Sequence, residues 1–391
     1  MVINRTDRIA YMLFFLFFIS CVFDPADIFG MKKVLFVLIF SFCVFLFLQN
    51  RMYISKKRII ISAIFFSFGL IGFLFSALNF RGTDYDGGQS IAYLLVFFLF
   101  FLIIFLNNPL LWRAFIDSLA FVGLLMILYT IIISFLFAFF YNEFSSLFFY
   151  LNYTLSNSFI TSRVFGPFTI SMVYLKSIVL LFPISVIYYH KYKSSSKKVY
   201  FIFVILALFS LILSGTRTNI ILSILMLLVL GFVTVNVKYR KYVFLGFLLL
   251  TLLVMYNLLT FVFENSDSSS EIKSSLLNTY LDVFFNDNSY FIIGDGFGSL
   301  FYAVSKNRYI FNSELVYLDV FKYLGGFVFL FFMSFLITPL LVFIRKNDVF
   351  LLMSYLSYLL VSATNPLLLS STGMVALIYY FNCNFYDRPL N

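Results

Sequence analysis

Six consecutive residues, Ser214-Gly215-Thr216-Arg217-Thr218-Asn219, join two apolar runs by an outward turn of almost no length. An arginine so placed sits at a membrane boundary, where a charge is costly and is usually paired or functional. Snorkelling to lipid headgroups is the competing reading, but the small polar neighbours suit an anion pocket better than an anchor. Arg163 stands just ahead of Gly166-Pro167, which fix the chain and can aim the side chain. Lys176, Asp319 and Lys322 fall inside apolar runs, which makes each a functional candidate. Asp319 and Lys322 are three apart on one helix face, so a structural ion pair is an equal alternative. Lys306, Arg308 and Glu314 flank the start of the run that carries that pair. Together these cations predict an outward pocket with a carboxylate at its edge. Guanidinium forks and ammonium groups hold phosphate oxygens, so the substrate expected is a phosphorylated molecule half in the bilayer, such as a lipid-linked diphosphate.

The elements that position these residues follow from composition. The chain has 391 residues, of which 62% are hydrophobic and 11% charged. Soluble domains average about 45–50% apolar and about 25% charged, so a soluble enzyme, a secreted disulfide scaffold and a disordered chain are excluded. About twelve segments are long and apolar enough to cross a bilayer: 9–23, 33–49, 59–80, 91–107, 115–141, 169–189, 199–214, 219–236, 242–263, 315–344, 349–363 and 372–385. The expectation is an all-α, polytopic membrane domain covering 1–391. Its first segment is kept as a span because no convincing cleavage site follows it. The net charge of +10 is read as topology, with basic residues gathered in inside loops, and not as a nucleic-acid signal. Both termini then lie in the cytoplasm. Cys21, Cys43 and Cys383 all fall in apolar runs, so no disulfide framework follows, and the lone His190 argues against a histidine-based metal site.

Two outside loops are long, about 142–168 and 264–314, and loops of that length usually carry function. In the second, Leu276, Leu277, Tyr280, Leu281, Phe284 and Phe285 repeat at helical spacing. They predict a short amphipathic helix, either lying on the outer membrane boundary or packed on the bundle. Gly294-Asp295-Gly296-Phe297-Gly298 follows, a spacing that permits a tight turn and close approach of a ligand to backbone N–H groups. Nucleotide-binding and metal-protease motifs are missing, so the substrate must supply its own driving force.

In this pattern the chain resembles the O-antigen polymerases (Wzy-type) of the O-antigen ligase and polymerase superfamily. The resemblance rests on Ser214-Gly215-Thr216-Arg217-Thr218 between two spans, on Arg163 with Gly166, on Gly294-Asp295-Gly296-Phe297-Gly298, and on Glu314-Leu315-Val316-Tyr317-Leu318 followed by Gly325-Gly326. It implies a GT-C-like inner-membrane glycosyltransferase with its large periplasmic loop between the ninth and tenth spans. Such an enzyme joins oligosaccharide units carried on undecaprenyl diphosphate, without cofactor or metal, alongside a separate chain-length regulator. By resemblance, Arg163 and Arg217 are diphosphate clamps. Lys176, Lys306, Arg308, Gly294, Asp295, Gly296 and Gly298 line the substrate site. Glu314 aligns where ligase-like members often carry a histidine. It is read either as the general base toward a sugar hydroxyl or as a helix cap. The missing histidine tilts the reading from ligase, the first rival, toward polymerase. The second rival, a lipid-linked oligosaccharide flippase or transporter, fits less well because the halves of the chain show no repeat.

Overall fold

The computed structural model describes residues 5–25, 27–49, 52–79, 82–155, 157–165, 168–235, 246 and 268–385. The expected span 242–263 lies outside the described residues, apart from residue 246. Helices dominate: α1 (Arg5–Phe23), α2 (Met31–Leu48), α3 (Lys56–Leu78), α4 (Gly87–Leu99), α5 (Leu102–Phe105), α6 (Pro109–Phe139), α7 (Ser145–Phe149), α8 (Leu181–Ser195), α9 (Lys198–Leu213), α10 (Arg217–Thr234), α11 (Ser268–Asn286), α12 (Val316–Arg345), α13 (Val349–Ala363) and α14 (Ser371–Cys383). Among the described residues, seven helical segments are long and apolar enough to cross a membrane, and α9 and α13 are shorter apolar helices. This is an α-helical membrane protein.

Local sequence explains the helix starts. Pro109 opens α6, where its missing N–H costs nothing, and the Asn108 side chain caps the Leu110 N–H at 2.9 Å. Asp348 and Ser370 cap α13 and α14 in the same way. Residues 371–382 of α14 are almost all buried, as expected of a helix apolar on every side. Much of the core is phenylalanine. Phe65 of α3, Phe97 of α4 and Phe100 just after α4 meet Phe332 and Phe335 of α12 at ring-centroid distances of 5.6–6.4 Å. Such ring pairs contribute about 0.5–1.5 kcal/mol each beyond area burial.

Two expectations are corrected. The sixth span is not a helix over 169–189. Its first part is a β-strand, β2 (Phe168–Leu175), paired antiparallel with β1 (Ser158–Phe165), and the helix α8 begins only at Leu181. Apolarity alone does not separate a buried strand from a buried helix; here Thr169, Ile170 and Val173 are β-branched and favour the strand. Lys176 is consequently not inside a span. It is exposed in the turn after β2, and its N–H donates to the Asn157 carbonyl at 3.0 Å. The tenth span, α12, is two helices joined at Gly325, whose φ of 74° and ψ of 160° break it. Residues 316–324 thus form a short helix ahead of the break, and the run after Gly326 continues as the apolar helix.

Polar contacts sort the chain into two ends. At one, His190 meets Asp348 at 3.0 Å, Lys191 meets Asp117 at 2.6 Å and Asn107 meets the Tyr53 carbonyl at 2.8 Å. At the other, Asn157 and Ser177 reach the Phe23 and Val22 carbonyls, Tyr174 reaches Asn365, and Leu300 N–H reaches Asp84. The contacts of each group join loops and helix ends that are distant in the sequence.

Candidate functional site

Arg217 is the first residue of α10. Gly215, at φ 68°, lets the chain reverse between α9 and α10, and Thr216 is the N-cap. The Thr216 hydroxyl makes no capping bond, so Arg217 stands in the first turn at the positive end of α10. Behind Arg217 runs a polar seam. Asn219 is fully buried and its amide donates to Ser214 Oγ at 2.8 Å. Thr216 Oγ1, Asn219 Oδ1 and Ser223 Oγ are buried and have no hydrogen-bond partner among the described residues. Buried polar atoms of this kind are rare and costly, about 1–3 kcal/mol each. Three of them beside one arginine mark a place built for something polar. The seam was partly legible: Asn219 and Ser223 are one turn apart in an otherwise apolar run.

The β1–β2 hairpin seats on this turn. A Cβ on Gly215 would lie 2.4 Å from the Met172 side chain, so only glycine lets β2 approach so closely. Met172 pairs with Thr161 across the hairpin, and Arg163 lies two residues further along the same strand, opposite Ile170. The hairpin therefore carries the Arg163 backbone on the strand pair that meets the Arg217 turn. The Arg163 side chain lies outside the described residues. Asn152 fixes the hairpin from the neighbouring helical turn, donating to the Ile160 carbonyl at 3.0 Å and accepting its N–H at 2.8 Å.

Burial and the charge of Glu314 together push the Tyr174 phenol of β2 above its ordinary range. Glu314 is half exposed and pairs with Lys273 of α11 at 3.2 Å. It precedes the N-cap residue Leu315 and makes an ion pair there, so of its two readings the capping one has no bond behind it. Lys306 ends a 3-10 turn and Arg308 opens β4 (Arg308–Ile310), which pairs with β3 (Phe301–Ala303). The Lys306 side chain lies outside the described residues; Arg308 is exposed. The β3–β4 hairpin packs on Leu276 of α11 and on Leu315, next to Glu314.

The glycine segment does a different job. Asp295 N–H donates to the Lys322 carbonyl at 2.9 Å, Gly296 N–H to Tyr323 at 3.1 Å and Phe297 N–H to Gly72 at 3.0 Å. A Cβ on Gly294 would sit 2.4 Å from the Tyr323 carbonyl oxygen, on Gly296 2.1 Å from Ser76 N, and on Gly298 2.5 Å from the Asp86 carbonyl oxygen. The close approach expected of a ligand is made by the protein's own backbone, and Asp295 accepts from Tyr290 at 2.7 Å. Gly294, Asp295, Gly296 and Gly298 form a buried strap clamped by α3, α4 and α12. They do not offer those N–H groups to a substrate.

Asp319 and Lys322 are buried anchors of the same region. Asp319 accepts from Ser313 N–H at 2.9 Å, from its hydroxyl at 3.2 Å, and from Tyr280 of α11. Lys322 donates to the Ser299 carbonyl at 2.8 Å and lies 4.5 Å from the Phe301 ring centroid. The amphipathic helix α11 packs inward through Leu276, Tyr280 and Phe284, while Leu277, Leu281 and Phe285 stay exposed. It is thus packed on the bundle and keeps a second apolar stripe.

No protein family, characterised protein or solved structure matches the chain.

Proposed function

We propose that the chain is a membrane glycosyltransferase of GT-C type, an O-antigen polymerase acting at the periplasmic face of the inner membrane. The observation that carries the reading is the seating of the Arg217 turn against Met172, on the strand pair whose other strand carries Arg163. The cationic end of α10 and the polar seam behind it suit a diphosphate. Lys306 and Arg308 belong to the same loop as Glu314 and suit the flanking sugars or the carrier's second phosphate.

In this reaction an acceptor sugar hydroxyl attacks the anomeric carbon of a polyprenyl-diphosphate-linked oligosaccharide. The new C–O bond forms as the bond to the diphosphate breaks, and that electron pair leaves on the phosphate oxygen. Arg217 and Arg163 stabilise the charge that develops there. Glu314 takes the hydroxyl proton. The driving force is the activated diphosphate itself.

The test is polymer formation from purified protein and lipid-linked repeat unit, with Glu314→Gln beside wild type. A general base contributes about 10²–10⁴-fold, so a loss of that size with protein folded is expected. Unchanged product from Glu314→Gln removes the base assignment. In cells, loss of the gene is expected to leave core-plus-one-unit product. Loss of all attached polymer points to the ligase instead, and substrate trapped on the cytoplasmic leaflet points to the flippase.

A further inference from the structure

Beside the hairpin, between the end of α6, α7, the helical turn at Tyr150–Thr154 and β1, lies a cavity of about 880 Å³. This is within the usual range of ligand sites, roughly 300–1,000 Å³. Its walls mix aromatic faces with small hydroxyls, and among the described residues its lining carries no charged side chain. Tyr141, Phe149 and Tyr153 are exposed at the cavity, and Ser145, Ser146 and Thr161 stand among them. Phe148 and Tyr141 stack with centroids 5.9 Å apart and planes 12° apart, so one wall is held flat.

We propose that this cavity is an oligosaccharide-binding subsite. A pyranose ring presents an apolar C–H face and an equator of hydroxyls. Aromatic faces cover the first, and serine, threonine and tyrosine hydroxyls, each both donor and acceptor, match the second. Among the described residues a phosphate would find no cation in these walls, and a lipid tail would bury their hydroxyls against hydrocarbon. Ser162, in the lining, directly precedes Arg163, and Thr161 is the cross-strand partner of the Met172 that touches Gly215. The subsite therefore opens beside the proposed diphosphate clamp, where one sugar chain must be held while the other reacts. The inference deepens the polymerase reading and rests on it.

Tyr153 is the residue to change, because at 71% exposure its loss leaves the core intact. The probe is an array of bacterial oligosaccharides free of lipid and diphosphate, presented to the purified full-length protein in detergent. Wild type is expected to retain a defined subset. Tyr153→Ala should weaken that binding roughly tenfold, the scale of one lost aromatic face, and Tyr153→Phe should largely restore it. The free sugars carry no phosphate, so the array judges the subsite alone, whereas polymer made normally by Arg217→Ala removes the clamp. No retained oligosaccharide, or equal retention by Tyr153→Ala, overturns the subsite. So does a Tyr153→Ala defect confined to partitioning into phosphatidylglycerol vesicles, which would make the aromatics a membrane-interface belt.

Discussion

The two long outer loops solve opposite problems. The first, from Tyr141 to Leu175, encloses open space: a hairpin, a short helix and exposed aromatic rings around a cavity. The second, from Ser268 to Leu315, closes on itself and on the bundle, with aromatic contacts of 4.7–5.6 Å among Tyr280, Phe284, Tyr290, Phe301 and Phe321. The glycine-rich segment, which looks most like a ligand loop, belongs to the closed one. Glycine permits close approach of any backbone, and here the partner is the protein. The cavity-lining part of the open loop has no motif, only a mixture of rings and hydroxyls. An irregular polar-aromatic stretch is thus the better guide to a cavity in this molecule than spaced glycines.

The sharpest break of this contrast is Arg217→Ala. It removes the guanidinium at the open loop's edge without disturbing the closed one. Polymer formation is expected to fall by about 10²–10³, the size of a lost transition-state donor, with unchanged protein level and thermal unfolding. Normal long-chain product in this variant removes the proposed site.

A pair of alanine substitutions tests the two loops with one chemistry. At Gly296 the added Cβ meets backbone, Ser76 N at 2.1 Å, at a φ of 82°, and nothing there can yield. Loss of about 3 kcal/mol is expected from overpacking plus a strained backbone, seen as a lowered thermal midpoint in detergent. At Gly215 the φ is 68°, but the obstacle is the flexible thioether chain of Met172. About 1 kcal/mol is expected there, with activity lost out of proportion because the hairpin shifts on the Arg217 turn. Equal destabilisation at both sites contradicts the division into a clamped strap and an adjustable seat.

How much of this was legible in the sequence depends on what each residue touches. The apolar runs gave most helices, because lipid and core both demand apolar side chains and the backbone must satisfy itself. The hairpin at 158–175 was hidden by the same fact: a buried strand beside a helix start is as apolar as a span. The kink was not read from Gly325-Gly326, which stood inside one expected span; the packing of Gly325 on the Gly294 backbone shows its purpose. Arg217 stood out because a charge between two spans is expensive. Lys273 did not, because an exposed lysine on an amphipathic helix has many bland explanations, and its partner Glu314 is 41 residues away. The Asp319–Lys322 pair was recognisable as buried, but its partners Tyr280, Ser313 and the Ser299 carbonyl come from elements whose placement no local pattern encodes.

Asp319→Asn tests the anchor of the closed loop. An asparagine keeps one acceptor oxygen, so either Tyr280 or the Ser313 N–H and hydroxyl lose theirs in a buried setting. The expected cost is about 1–3 kcal/mol. Hydrogen exchange should rise over α11 and β3–β4 and stay unchanged over the β1–β2 hairpin. Equal rises over both loops would mean that they are one cooperative unit.

The smallest effect expected is also the one that separates two roles of Glu314. Its ion pair with Lys273 leaves both side chains partly in water, at 33% and 43% exposure. Such a pair contributes only about 0.2–1 kcal/mol, so Lys273→Ala should barely move the thermal midpoint. If Glu314 serves only to pin α11 to the start of α12, Lys273→Ala and Glu314→Gln remove the same bond and must behave alike. If its carboxylate takes a proton from a sugar hydroxyl, the two diverge: Lys273→Ala keeps the base and most of the activity, and Glu314→Gln loses it.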